Sequence, residues 1–115
     1  MSWFQPTGAN PGLYEEFAAS ATTVLGDTGR AGDYLESITI SAQTTTPGAV
    51  TITDGSGTGA ITILSIPAGT ATSLPYIKTI PVRSYAVNTA TTLTNQGWTV
   101  TTGAAVSGFA TGQFS

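Results

Sequence analysis

Between Val50 and Ile63 the chain alternates β-branched apolar residues with threonine, breaks at a glycine-rich turn, and alternates again. Val50 and Ile52 are interleaved with Thr51 and Thr53, and Ile61 and Ile63 with Thr62 and Leu64. A period of two is the signature of a strand with one buried face. Asp54-Gly55-Ser56-Gly57-Thr58-Gly59 supplies residues that tolerate the positive φ of a reversal. The pair is read as a β-hairpin. It places Val50 and Ile52 in the core opposite Ile61 and Ile63.

The same pattern recurs along the chain. Tyr34 to Ile40 alternates with Ile38 and Ile40 on one face, and Trp98 to Thr101 alternates with Trp98 and Val100 together. Ala18 to Leu25, Leu74 to Val82, Arg83 to Val87 and Ala104 to Phe109 are further strand candidates. Asn88 to Asn95 reads as a threonine-rich loop. Pro75 and Pro81 suit an edge or bent strand, because proline cannot donate to a ladder. Leu13 to Ala21 is the one stretch where a short helix competes. Turn signals recur at roughly 8–12-residue spacing, as in sandwiches, jelly rolls and small barrels. The expected fold is all-β: a single β-sandwich or jelly-roll-like domain of about 7–8 short antiparallel strands over 17–115, preceded by an extended arm over 1–16. The predicted core is Leu25, Leu35, Ile38, Ile40, Val50, Ile52, Ile61, Ile63, Ile66, Ile80, Val82, Val87, Trp98, Val100, Val106 and Phe109.

The arm combines Pro6, Gly8, Asn10, Pro11 and Gly12, which break regular structure, with Trp3, Phe4, Leu13, Tyr14 and Phe17. Large aromatic groups bury much area for few lost rotamers. Two readings stand: the segment packs across its own domain, or these five residues anchor it on a neighbouring subunit.

Composition narrows the chemistry. There is no histidine and no cysteine, which removes the commonest general base, the usual triads, thiolate metal sites and disulfides. Charged residues make up 8% of the 115-residue chain, against about a quarter in an ordinary domain. Its surface must therefore be covered by hydroxyls and amides, which suits a protein docked in an assembly or outside the cell. Three cations cannot neutralise a run of phosphates, so nucleic acid is not an expected partner. No apolar run is long enough to span a bilayer, and the amino terminus lacks a signal-peptide pattern. Glu15 and Glu16 point to opposite sides of an extended chain, Lys78 reads as a solvated strand residue, and the serines and threonines have no base to activate them. No catalytic constellation and no cofactor are expected. Asp27, Asp33 and Asp54 offer hard oxygen ligands on loops, but turn formation explains them better than calcium. Trp98 is read as a core residue, with an exposed sugar-stacking platform as the alternative.

Several stretches together resemble a recurrent type of tailed-phage virion domain found in head decoration proteins, head fibres and tail fibres. They are TTVLGDTGRAGDYLESITI (Thr22 to Ile40), PGAVTITDGSGTGAITI (Pro47 to Ile63), IPVRS (Ile80 to Ser84) and GWTVTTGAAVSGFATGQF (Gly97 to Phe114). The resemblance begins at residue 22 and carries no catalytic residues. It implies a non-enzymatic virion structural protein: a decoration or cement protein on the outer surface of the phage capsid, made in the host cytoplasm. Its implied partners are the major capsid protein or other virion proteins and further copies of itself, with a trimer plausible. The alternative is a tail-fibre or spike module that binds host glycans, for which exposed aromatics such as Tyr76 or Tyr85 would serve.

Overall fold

The computed structural model describes residues 13–69 and 76–115. These residues form eight strands and no helix: β1 (Leu13–Phe17), β2 (Thr22–Val24), β3 (Tyr34–Ala42), β4 (Val50–Gly57), β5 (Ile61–Ile66), β6 (Tyr76–Tyr85), β7 (Leu93–Thr102) and β8 (Val106–Gln113). They build two antiparallel four-stranded sheets, β1-β8-β3-β6 and β2-β7-β4-β5.

The pairings explain that order. β4 pairs with β5, β3 with β6, β2 with β7 and β1 with β8, so the chain is one long hairpin centred on the β4–β5 turn. Folding this ribbon over adds β3·β8 and β4·β7 and closes two sheets over one core. This is the jelly-roll solution to burying the apolar faces of an antiparallel ribbon.

The core is built by alternation. Leu35, Ile38 and Ile40 of β3 face Val50 and Ile52 of β4 and Trp98 and Val100 of β7, all at most 2% exposed. Midway along β8 only small groups lie under this layer: Ala110 is fully buried, and a Cβ added to Gly108 would strike the Thr39 carbonyl oxygen. The bulk comes instead from Phe17, Val106 and Phe114, which join the same buried cluster. Leu64, Ile66 and Val82 pack against its margin.

Several expectations are corrected. The arm does not run to residue 16, because Leu13–Phe17 pairs with β8 as the edge strand β1 and no helix forms there. The strand expected over Ala18 to Leu25 shrinks to Thr22–Val24. Residues 18–21 are needed to carry the chain from one sheet to the other, through Ser20 at φ 55°. That turn is fixed by Ser20 N–H donating to the Gly103 carbonyl (2.9 Å) and Ala21 N–H donating to Thr102 Oγ1 (3.1 Å). Two predicted strands merge into β6, which runs through Pro81 as an edge strand can and bulges at Arg83 (φ 53°). Strand β7 begins at Leu93, inside the expected loop. The hairpin turn is shorter than expected, since Asp54 to Gly57 still belong to β4.

The hairpin also changes face. Its register sets Val50 opposite Ile66 and Ile52 opposite Leu64, and a bulge after Ile52 leaves Ile63 unmatched. Leu64 and Ile66 therefore turn towards the core, while Ile61 and Ile63 are 51% and 47% exposed. Period-two alternation fixes which residues share a face, but not which face is buried. Phe109 is exposed because Ala110 and Val106 take the inner positions of β8, and Val87 lies beyond the end of β6.

This register separates isoleucines that look alike in sequence. Ile38→Ala is expected to cost about 2–5 kcal/mol through the cavity it leaves. Ile63→Thr should stay within about 0.5 kcal/mol of the parent. Urea unfolding of the two variants measures both.

Candidate interaction face

The acidic residues on loops serve the fold. Asp33 is buried, and its Oδ2 accepts Arg30 N–H and Ser115 N–H (both 3.1 Å) while Oδ1 accepts the Ser115 hydroxyl (2.8 Å). Thr28 and Gly29 N–H groups donate to the Ser115 carbonyl, so the β2–β3 loop grips that residue from both sides. Gly26 makes this approach possible: at φ 90° it brings its backbone so close that a Cβ would collide with the Ser115 carbonyl. The Trp98 indole N–H donates to the Asp33 carbonyl (3.1 Å), tying this loop to the core and placing Trp98 inside it. Asp54 Oδ2 accepts Val87 and Asn88 N–H (2.9 and 3.0 Å), and Asn88 Nδ2 donates to the Asp54 and Gly59 carbonyls. Among the described residues, no group of three or more acidic, histidine or cysteine side chains comes together.

The outer faces of the two sheets differ. On the β2-β7-β4-β5 sheet, Thr22, Thr101, Thr51 and Ser65 form one row across the four strands, followed by a second of Val24, Thr99, Thr53 and Thr62, in which Thr99 is buried at 2% exposure. This surface is mostly hydroxyl and carries no charge. The β1-β8-β3-β6 sheet adds exposed aromatic and aliphatic groups to its hydroxyls. Tyr14 of β1 is 64% exposed and meets Phe109 of β8 edge to face, centroids 5.8 Å apart. Across the sheet, Tyr34 of β3 and Tyr85 of β6 are register partners with centroids 4.9 Å apart. Between them run hydroxyl pairs, Ser37 with Thr111 (2.8 Å) and Thr39 with Thr79 (2.9 Å).

Two coupled irregularities shape the Tyr34 corner. Opposite β8, β3 gains one residue at Glu36; opposite Glu36, β6 supplies both Val82 and Arg83. The Tyr34 hydroxyl donates to Glu36 Oε1 (2.7 Å), and Arg83 Nε donates to Glu36 Oε2 (3.3 Å). The ion pair is exposed, so its contribution to stability is about 0–1 kcal/mol. The Glu36 hydrogen bond, which favours the protonated phenol, raises the Tyr34 pKa.

The five predicted anchor residues divide. Trp3 and Phe4 lie outside the described residues. Leu13 enters through its backbone, paired with Gly112 in β1. Tyr14 is on the exposed face. Phe17 is a correction: at 3% exposure it belongs to the core and cannot reach a partner, because β1 turns every second residue inward. Tyr85 ends a strand rather than lying in a loop, and the Tyr76 side chain lies outside the described residues. The Tyr34–Glu36–Arg83–Tyr85 cluster was not anticipated. Its only trace in the sequence is two i,i+2 spacings in strands 40 or more residues apart. Compared with known proteins, the chain matches no family model, no curated protein and no solved structure at a significant level.

Glu15 is the titrating group at the β1 edge. Burial raises its pKa above the ordinary 4.5 and nearby Asp27 adds to this, while the Gly26 N–H bond to Oε1 (2.6 Å) opposes it. The folded state thus holds this proton more tightly than the unfolded chain. The stabilising contribution is complete below pH 4.5 and is lost as pH rises through the raised folded value. Glu15→Gln keeps an acceptor for Gly26 but does not ionise. Relative to the parent, its stability should therefore increase as pH rises from below 4.5 to neutrality, as read by urea unfolding across that range.

Proposed function

We propose that this chain is a non-enzymatic virion structural protein, a decoration or cement protein that sits as a homo-oligomer on the outer surface of a tailed-phage head. The observation that carries the reading is the state of the sheet edges. An exposed edge is a template for pairing, and proteins blunt it with charge, proline or shortness. Strand β1 carries Glu15 and Glu16, β6 carries Lys78, Pro81 and Arg83, and β2 has three residues. Strand β5, Ile61–Ile66, has no charge and no proline, and it exposes Ile61 and Ile63. Such an edge suits association with a further copy or with another virion protein.

The rest of the molecule agrees with a role in binding. Its outer faces offer hydroxyls, Tyr14 and Phe109, surfaces that dock by shape and burial. Jelly rolls serve in viral capsids and in lectins, an analogy of fold that fits both this reading and a glycan-binding one. Trp3 and Phe4 are the proposed anchors on the major capsid protein.

Two measurements test this. Light scattering should find the parent as an oligomer, and the double variant Ile61→Lys/Ile63→Lys should raise its dissociation constant at least about tenfold, or 1.4 kcal/mol, without unfolding it. In particles of the phage that encodes it, the protein should lie on the head, and Trp3→Ala/Phe4→Ala should release it. A protein found only at the tail, or absent from the particle, overturns the assignment.

A further inference from the structure

We infer that the corner formed by Tyr34, Glu36, Arg83 and Tyr85 is a binding site for a neutral pyranose oligosaccharide. This stands apart from the virion role and holds whichever particle or surface the protein occupies. A pyranose presents an apolar face of C–H groups and a rim of hydroxyls. Its recognition needs an exposed aromatic ring beside planar polar groups that both donate and accept hydrogen bonds. The corner has both parts. Tyr85 is 63% exposed, with Tyr34 against it at 4.9 Å and tilted by 49°, so one aromatic ring faces solvent on a strand rather than a loose loop. Beside it, Glu36 supplies acceptor oxygens and Arg83 a fork of donors.

The polar rim is already organised. Glu36 accepts from the Tyr34 hydroxyl on one side and from Arg83 Nε on the other, which biases the carboxylate and the exposed guanidinium towards one orientation before a ligand arrives. Preorganisation reduces the entropy lost on binding. The backbone bears a cost for this arrangement. Arg83 has a φ of 53°, a left-handed conformation rare for a residue with a side chain, at the point where β6 sets two residues against Glu36. A bulge of this kind re-aims side chains, and here it brings the Arg83 and Glu36 groups together on the outer face.

Charge selects the ligand class. The site holds one carboxylate and one guanidinium paired at 3.3 Å, on a chain of net charge −3, so it favours neither an acidic sugar nor a cation. The Tyr14–Phe109 pair, although aromatic and exposed, has Glu16 and Thr111 beside it but no guanidinium donor, and is the internal control. Because the site is open to solvent, each copy binds weakly, with a dissociation constant of about 1 mM. Several copies on one assembly would gain by avidity.

The test is a titration of the full-length, ¹⁵N-labelled protein with cellotetraose, maltotetraose and mannotetraose at millimolar concentration, followed by NMR. At least one is expected to give saturable shifts centred on Tyr34, Glu36, Arg83 and Tyr85. Tyr85→Ala should weaken that binding at least tenfold and Glu36→Gln severalfold, each with an otherwise unchanged spectrum, while Tyr14→Ala leaves it intact. If Tyr85→Ala disturbs the fold, Tyr85→Leu, which keeps the apolar bulk without the ring, replaces it with the same expected loss. No saturable shift with any of the three sugars, or shifts centred on Tyr14 and Phe109, overturns the inference.

Discussion

Two sheets whose strands are drawn alternately from one chain stay together only if their inner faces exclude water. Here that contact is made by Ile38 and Ile40 on one sheet and Ile52, Trp98 and Val100 on the other, all essentially without solvent exposure. The hydrophobic effect acts on this layer without regard to direction, so it closes the sandwich but does not choose its register. Direction comes from a few buried polar groups. The Trp98 indole reaches the Asp33 carbonyl, the Asp33 carboxylate takes backbone donors from its own loop and from Ser115, and Asp54 does the same for the segment after β6. Buried polar groups are costly unless satisfied, so these bonds favour one arrangement over its neighbours.

The charge-poor composition takes on meaning in this frame. An ordinary domain covers its outer faces with lysine and glutamate; this one covers them with threonine, serine and a few rings. The consequence is a surface with little like-charge repulsion between copies. Most sheet edges nevertheless carry protection, and the unprotected strand β5 stands out against them. The same scarcity makes the Glu36–Arg83 pair conspicuous, since two of the chain's few charges are spent at one corner beside two tyrosines.

Much of the architecture was legible from residue patterns. The alternation around Ile38, Ile52 and Val100 identified strands and core together, the hairpin joining β4 and β5 was visible in its glycine-rich turn, and Pro81 marked an edge strand. The misplacements share one cause. Ile61 and Ile63 alternate as cleanly as Val50 and Ile52, but a bulge after Ile52 and the pairing of Leu64 with Ile52 put Leu64 and Ile66 on the core side and leave both isoleucines about half exposed on the edge strand. Phe17 follows a proline- and glycine-rich stretch that reads as an arm, yet the pairing of β1 with β8 draws it into the core.

The sequence by itself determined that this chain forms short antiparallel strands around an aliphatic core, because period-two patterning and turn chemistry are local properties. It also determined the chemistry open to the chain, because residue types that are absent cannot act. Only the tertiary structure decided which face of each strand is buried, which edges remain open, and that Tyr34 and Glu36 meet Arg83 and Tyr85. Those outcomes depend on register between strands far apart in the chain. A single bulge exchanges one face for the other without altering the pattern that a reader of the sequence can see.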